Sequence, residues 1–160
     1  GESGPSASVS VNVGCVRMTE RHLHDDPPTA EQVAAAAADI DEAVARAGAV
    51  VPLRQGACFV GLAGTVTTVA AMALDLTAYD ADILHGSVVS RAAVDRVTDQ
   101  LLAMTRSERA LLPFMHPGRV DVIGAGAMVL RAAMAAASAA EVVVSETDIL
   151  DGIAYRLSAG

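Results

Sequence analysis

Apolar and polar residues alternate near the start of the chain. Within 7–13, alanine and three valines occupy every second position, with serine and asparagine between them. This period of two predicts a half-buried β-strand. The run 57–62 is short, apolar and bounded by glycines, which predicts a buried strand. An extended segment is also expected near 84–89, and 141–144 has the composition of another strand.

Helical spacing begins after a polar break at 24–28. Thr29 and Gln32 have the form of a capping box, with a hydroxyl at the cap and an amide at the third helical position. Apolar residues then recur on one face, and the helix is predicted to end near Gly48. Ser90 is a second candidate cap. Further helices are predicted at 65–74, from a glycine-containing turn at 124–127 to about 137, and from a cap at Asp148.

The order of these elements indicates the fold class. Strand, helix, strand, three helices, strand and helix follow one another, which predicts an α/β domain with helices covering a sheet. The chain has 160 residues, of which 52% are hydrophobic, enough to bury one core. We therefore expect one domain over 1–160, because no internal repeat or long linker divides the sequence.

Charge and aromatic content exclude several functions. The chain has 11 basic residues, all arginine, against 19 acidic ones, so its net charge is −8. This sign argues against a general nucleic-acid or membrane-surface binder, although a local arginine cluster can still bind a polyanion. Two phenylalanines, two tyrosines and no tryptophan make a base-stacking platform improbable.

The cysteines and the longest apolar stretches predict a cytoplasmic location. Cys15 and Cys58 show neither zinc-site nor disulfide-scaffold spacing, so reduced thiols are expected. The longest apolar stretches are mostly alanine or are interrupted by charge, and no signal-peptide pattern opens the sequence. No membrane association is therefore predicted.

The strongest candidate for binding chemistry is the glycine-rich segment 61–68 (GLAGTVTT) between a predicted strand and a predicted helix. Its backbone N–H groups and the helix dipole would favour an anion, and Thr65 or Thr67 would add a hydroxyl donor. The alternative is a tight turn in which Thr65 only caps the helix. A nucleotide-binding P-loop is disfavoured because the chain has no lysine.

The other polar groups give weaker signals. The segment 124–127 (GAGA) is a partial match to a dinucleotide-binding loop, with Val129 where a small residue is needed. Arg17 and Arg119 lie near glycine-containing turns and suit phosphate oxygens, although ion pairs with Glu20 and Asp121 are the simpler interpretation. The polar cluster within 22–26 is more typical of a solvated helix end than of a metal site.

Four segments together resemble a known family. They are 12–20 (NVGCVRMTE), 61–68 (GLAGTVTT), 115–127 (MHPGRVDVIGAGA) and 144–153 (VSETDILDGI). In this order they are similar to the second half of the Ppx/GppA family of exopolyphosphatases and guanosine pentaphosphate phosphohydrolases. The four segments span nearly the whole chain.

The resemblance implies an actin-like, ribonuclease-H-like fold of two similar α/β domains with the active site in the cleft between them. Such enzymes hydrolyse terminal phosphoanhydride bonds of polyphosphate or guanosine pentaphosphate and use Mg²⁺. In this chain the phosphate- or substrate-binding residues would be Gly61, Gly64, Thr65, Thr67, Arg119, Gly124, Gly126 and Arg17.

The resemblance also implies what the chain lacks. The family's catalytic carboxylate lies in its first domain, and an Asp-Ile-Gly-Gly-Gly-Ser-type loop holds phosphate and metal; neither is present. Segment 7–13 would then be the third strand of a five-stranded sheet that lacks its first two strands. We expect no catalytic residue or metal ligand here and no turnover by the chain alone, because phosphoryl transfer needs several elements at once. Exposed strand edges favour a homodimer or a strand-swapped oligomer.

Two further functions remain open from the sequence. A binding module would sense polyphosphate or guanosine tetra- and pentaphosphate without cleaving them. A sugar or acetate kinase of the same superfamily would use similar phosphate loops, but segments 18–20 and 148–152 favour the phosphohydrolases over such kinases.

Overall fold

The computed structural model describes residues 5–56 and 58–147. In this part of the chain, helices pack with a three-stranded sheet in an α/β fold, which confirms the predicted class. The helices are α1 Cys15–His22, α2 Ala30–Gly48, α3 Ala63–Ala73, α4 Ala81–Leu84, α5 Arg91–Ala103, α6 Arg106–Ala110 and α7 Ile123–Ala136. The strands are β1 Val60–Leu62, β2 Val88–Ser90 and β3 Glu141–Ser145, and short 3₁₀ turns occupy Leu53–Gln55 and Pro117–Arg119.

The sheet of the described residues has the order β1-β3-β2. β3 is central, parallel to β1 and antiparallel to β2. Leu62 pairs with Ser145, so β1 and β3 end at the same edge of the sheet. Because ligands of α/β proteins collect at the carboxyl ends of parallel strands, this edge is where a site is expected.

The small-residue helix α7 lies at the centre of the helical layer. It contacts α1, α2, α3 and α5. A main core cluster joins α3, α5 and α7 to the sheet, and a second cluster packs α1 and α2 on the other side of α7. Glycine and alanine allow close approach from all sides: a Cβ on Gly126 would lie 2.5 Å from Thr65 Oγ1.

Several sequence predictions are confirmed. Thr29 and Gln32 form the predicted capping box at the start of α2, and the Ser90 side chain caps α5. β1 leads directly into α3, and β3 occupies the predicted segment. These features depend on residues close together in the chain, so the local sequence pattern was sufficient to predict them.

The strand predicted at 7–13 is wrong. These residues form neither helix nor strand, although Ser8, Ser10 and Asn12 are exposed and Val11 and Val13 are half-buried. The alternation in burial is only partial, because Val9 is exposed as well. A period of two in the sequence reports alternating faces rather than a pairing partner. The three-stranded sheet of the described residues does not include 7–13.

Other boundaries also differ from prediction. The segment 124–127 is not a turn, because α7 already begins at Ile123. Leu84 ends α4, so the extended segment is limited to β2. Helices α1, α4 and α6 were not predicted. The helix predicted after Asp148 lies outside the described residues.

Both edges of the three-stranded sheet lack a further strand in the described ranges, and the β1 edge is the one beside α7. β1 pairs with β3 on one side only, and Val60 and Leu62 are exposed. An apolar groove of about 350 Å³ follows this edge and is bordered by Gly14, Cys15 and α7. Across the described helices, none is long and apolar enough to cross a membrane.

Candidate functional site

The backbone at the start of α3 has an unusual conformation. Ala63 follows β1 directly and has a φ of 69°, in the left-handed region that alanine rarely adopts. Leu62 before it is extended, and Gly64 after it is already helical. A left-handed residue beside right-handed ones turns successive N–H groups toward a common point, which creates a concave anion site.

The guanidinium group of Arg119 covers this helix start. A Cβ on Gly64 would lie 2.0 Å from Arg119 Cζ, so only glycine allows the guanidinium to approach so closely. Arg119 Nη1 donates to Thr68 Oγ1 at 3.3 Å, and Thr68 Oγ1 donates to the Gly64 carbonyl at 2.7 Å. Thr68 is fully buried and therefore links the arginine to the first turn of α3.

Helices α1 and α7 bring their first turns to the same place. Thr65 lies against Gly126 of α7, and Cys15, the first residue of α1, borders the same glycine, with its Cβ 3.3 Å from a Cβ built there. A side chain at position 126 would collide with Thr65, so glycine at this position allows the helices to approach closely.

Capping distinguishes this end of the molecule from the rest. Helices α2, α4, α5 and α6 each have a side chain that caps the first turn. Helices α1, α3 and α7 have neither a side-chain cap nor an acidic residue in the first turn. Their first backbone N–H groups therefore have no side-chain cap in the described residues, and an uncapped helix start is the arrangement that favours an anion.

The turn that carries Arg119 is held by a buried arginine. Arg109 donates to the carbonyl of Val120 at 2.9 Å and to those of Met104 and Leu101 at 2.7 and 3.3 Å. Its guanidinium also meets Asp26 at 3.3 Å. Arg109 thus fastens the end of α5 to the turn after Arg119.

Arg119 keeps its positive charge exposed to the site. The predicted alternative, an ion pair with Asp121, does not occur, because Asp121 pairs with Arg106. Among residues 5–56 and 58–147, no carboxylate lies within ion-pair distance of Arg119. A cation beside an uncapped helix start is electrostatically unfavourable unless an anion joins them.

A second polar group borders the site. Tyr79 Oη donates to Glu146 Oε1 at 2.7 Å, and the Glu146 backbone N–H donates to His85 Nδ1 at 3.2 Å. Partial burial raises the pKa of the Tyr79 phenol above its usual range, while the nearby Thr67 side chain and the Arg119 charge act in the opposite direction. Tyr79 and Arg119 also line one pocket of about 460 Å³.

The structure brings together Gly64, Thr65, Arg119 and Gly126 of the predicted site residues. Thr67 borders the same point, because its Oγ1 donates to the Gly64 carbonyl at 3.4 Å. Gly61, Gly124 and Arg17 have other surroundings. Gly61 is buried in β1, where a Cβ would lie 2.9 Å from Val142 and Val66, so packing explains its small size.

Thr67 and Gly124 are buried, and Arg17 is exposed on α1. A Cβ on Gly124 would lie 3.3 Å from Leu102 rather than near Arg119. Arg17 takes part in none of the ion pairs among the described residues.

Three residues of the site were missed from the sequence. Thr68 and Glu146 lie in the segments 61–68 and 144–153 but were assigned no role, and Tyr79 carried no local motif. For Tyr79 the available signal was the scarcity of aromatic residues, since the chain has two tyrosines and one lies in the segment 77–82.

A metal site does not follow from these residues. In the part of the chain that the structure describes, no three histidine, cysteine or acidic side chains are grouped to hold a metal ion. His22, one member of the polar cluster within 22–26, instead lies 2.9 Å from Asp39. The described residues therefore supply no site in which three protein ligands would hold Mg²⁺.

The chain is similar to known phosphatases over almost its full length. Exopolyphosphatase 2 of Mycobacterium tuberculosis is 48% identical over 162 residues, which cover 99% of this chain and 51% of that protein. The crystal structure of an exopolyphosphatase-like protein matches with a TM-score of 0.91 and 39% identity, over 96% of this chain and 51% of that one.

A Ppx/GppA family member from Aquifex aeolicus has the same fold, with a TM-score of 0.84 and 24% identity over 94% of this chain and 48% of that one. The chain thus spans about half the length of the relatives it matches. The sequence profile of the Ppx/GppA phosphatase family matches residues 2–159. This chain, with its arginine-covered and uncapped helix starts, belongs to the Ppx/GppA phosphatase family.

Proposed function

We propose that this chain forms one wall of the active site of a cytoplasmic phosphohydrolase that removes terminal phosphates from inorganic polyphosphate. The observation that carries the proposal is the Arg119 guanidinium over Gly64 at the uncapped start of α3. Family membership and the similarity to Exopolyphosphatase 2 support the same substrate class.

The wall would bind the phosphate chain by charge and by backbone N–H groups. The left-handed Ala63 directs N–H groups outward, and Arg119 offers planar donors that match phosphate oxygens. Thr65 borders Gly126 at the same place and adds a hydroxyl group. These groups would orient the terminal phosphoanhydride and stabilise charge that develops on its oxygens.

The attack on phosphorus would depend on parts of a longer protein. We propose that the chain belongs to the second, ribonuclease-H-like domain, and that the base for the attacking water and the ligands of Mg²⁺ come from segments outside it. The chain alone would then bind phosphate without turnover. The open edge of β1 would favour self-association of the isolated chain as a homodimer or strand-swapped oligomer.

Binding of inorganic tripolyphosphate to the 160-residue chain tests the proposal by calorimetry. We expect Arg119→Met to weaken binding about tenfold or more, because a charge-assisted contact contributes about 1.5–3 kcal/mol. Arg131→Met is the matched control, since Arg131 pairs with Asp99 elsewhere on the surface. Equal affinity of the wild type and Arg119→Met would refute the assignment of Arg119.

Turnover requires a separate measurement. Phosphate release from polyphosphate should be absent for the 160-residue chain and present for a longer protein that includes the preceding domain. Release by the chain alone would contradict the division of roles. Binding without release by the longer protein would instead favour a polyphosphate sensor.

Guanosine pentaphosphate is a second candidate substrate. The pocket of about 460 Å³ beside Arg119 is lined by Tyr79, Phe114, Met115 and the adjoining prolines, a surface that suits an organic group better than a bare phosphate chain. Competition between guanosine pentaphosphate and tripolyphosphate measures this preference. Tighter binding of the nucleotide, lost on Phe114→Ala, would identify it as the favoured ligand.

A further inference from the structure

The hydrogen bond between Tyr79 and Glu146 joins two parts of the chain beside the proposed phosphate site. Glu146 follows β3 directly, at the same sheet edge where β1 leads into α3. Its carboxylate accepts a hydrogen bond of 2.7 Å from Tyr79 Oη. The phenol in turn is close enough to Thr67 and Arg119 for both to lower its pKa.

A carboxylate at this position would compete with a bound phosphate. Glu146 and Arg119 are both flexible side chains of opposite charge, and both act on the same phenol. An ion pair between them would neutralise the cation that the phosphate needs. In the part of the chain described, the two do not form that pair.

The backbone of Glu146 is held independently of its side chain. The Glu146 N–H donates to His85 Nδ1 at 3.2 Å, so β3 ends in a defined position. The direction of the carboxylate then depends on the hydrogen bond from Tyr79. A tyrosine phenol has an ordinary pKa of about 10, so Tyr79 is protonated and able to donate at neutral pH.

We propose that Tyr79 is a positioning residue that holds Glu146 away from Arg119 and so keeps the anion site positively charged. The inference rests on the proposed phosphate binding. It adds that the Glu146 carboxylate can compete with the phosphate for Arg119. Without the phenol hydroxyl, Glu146 pairs with Arg119 and a phosphate must displace it. Affinity falls even though Tyr79 need not touch the ligand.

The test is a double-mutant cycle on the 160-residue chain. Tyr79→Phe, Glu146→Gln and the double variant are each titrated with inorganic tripolyphosphate, and thermal unfolding checks that each remains folded. Tyr79→Phe should weaken binding about 1.5- to fivefold, the range expected for a competing surface ion pair. Glu146→Gln should bind at least as tightly as the wild type.

The double variant gives the decisive result. It should bind tripolyphosphate as tightly as Glu146→Gln does. Once the carboxylate is removed, the loss of the Tyr79 hydroxyl has no competitor to release. A double variant as weak as Tyr79→Phe would overturn the proposal and assign Tyr79 a direct or purely structural role. An unchanged affinity of Tyr79→Phe would also overturn it.

Two controls separate this inference from the function on which it depends. Glu42→Gln removes one negative charge on α2, where Glu42 pairs with Arg46, and should leave the affinity unchanged. If the wild type binds tripolyphosphate and Arg119→Met does not, the proposed site stands whatever Tyr79→Phe does. If the wild type fails to bind, both the site and the role of Tyr79 are refuted.

Discussion

Replacing Gly64 with alanine should separate phosphate binding from folding stability. A Cβ at this position would lie 2.0–2.3 Å from three atoms of the Arg119 guanidinium, so the arginine must move. The guanidinium ends a flexible side chain, and its displacement needs no backbone change. We therefore expect Gly64→Ala to remove the arginine from the site without disturbing the fold.

The expected magnitudes follow from the contacts. Loss of the hydrogen bond from Arg119 to Thr68 costs about 1 kcal/mol of unfolding free energy. Alanine in place of glycine within a helix raises the unfolding free energy by about 0.5–1 kcal/mol, so the net change in the stability of Gly64→Ala is near zero. Loss of the charge-assisted phosphate contact weakens binding by about 1.5–3 kcal/mol, or roughly ten- to 150-fold.

Calorimetry with tripolyphosphate and urea unfolding of the same samples measure both quantities. Gly48→Ala at the end of α2 is the matched control, because its Cβ would make an ordinary contact of 3.5 Å with Leu53. It should leave binding unchanged. A large loss of stability with unchanged affinity in Gly64→Ala would show that the glycine serves packing and that Arg119 does not hold the ligand.

Three further predictions concern stability. Ala63→Gly should raise the unfolding free energy by about 0–1 kcal/mol, because glycine relieves the left-handed strain. The control Ala35→Gly in α2 should lower it by about 1 kcal/mol. Equal losses of the two variants on urea unfolding would show that position 63 is unstrained. Arg109→Met should lower the unfolding free energy by about 3 kcal/mol, because buried carbonyl groups lose their donor. Arg106→Met, at an exposed ion pair, should lower it by less than about 1 kcal/mol. Equal thermal midpoints of the two variants would contradict this prediction. Hydrogen bonds from the histidine and arginine at the end of α1 lower the pKa of Asp39, so its stabilising contribution is present above its ordinary pKa of about 3.9 and is lost as the pH falls through the lowered value. Asp39→Asn should therefore weaken the fall in thermal midpoint at acid pH, and parallel pH profiles would refute the assignment.

Local sequence determined much of the architecture. The capping box at Thr29, the Ser90 cap and the strand-to-helix step at 61–68 all appear where the sequence predicts them. Each depends on residues within a few positions of one another, since a cap bonds to the next helical turn and periodicity is counted along one element. The family resemblance depended on the same short segments and is confirmed.

Tertiary structure decided the pairing of strands and the composition of the site. The alternation at 7–13 predicted a strand, but a ladder needs a neighbouring strand that those seven residues do not specify. Arg119 reaches Thr68 across 51 positions, and Tyr79 reaches Glu146 across 67. No local pattern encodes such distances, because side chains far apart in sequence meet only after helices and sheet have packed. The sequence alone therefore predicted a phosphate-binding loop, whereas packing placed an arginine over that loop and joined Tyr79 to Glu146 beside it.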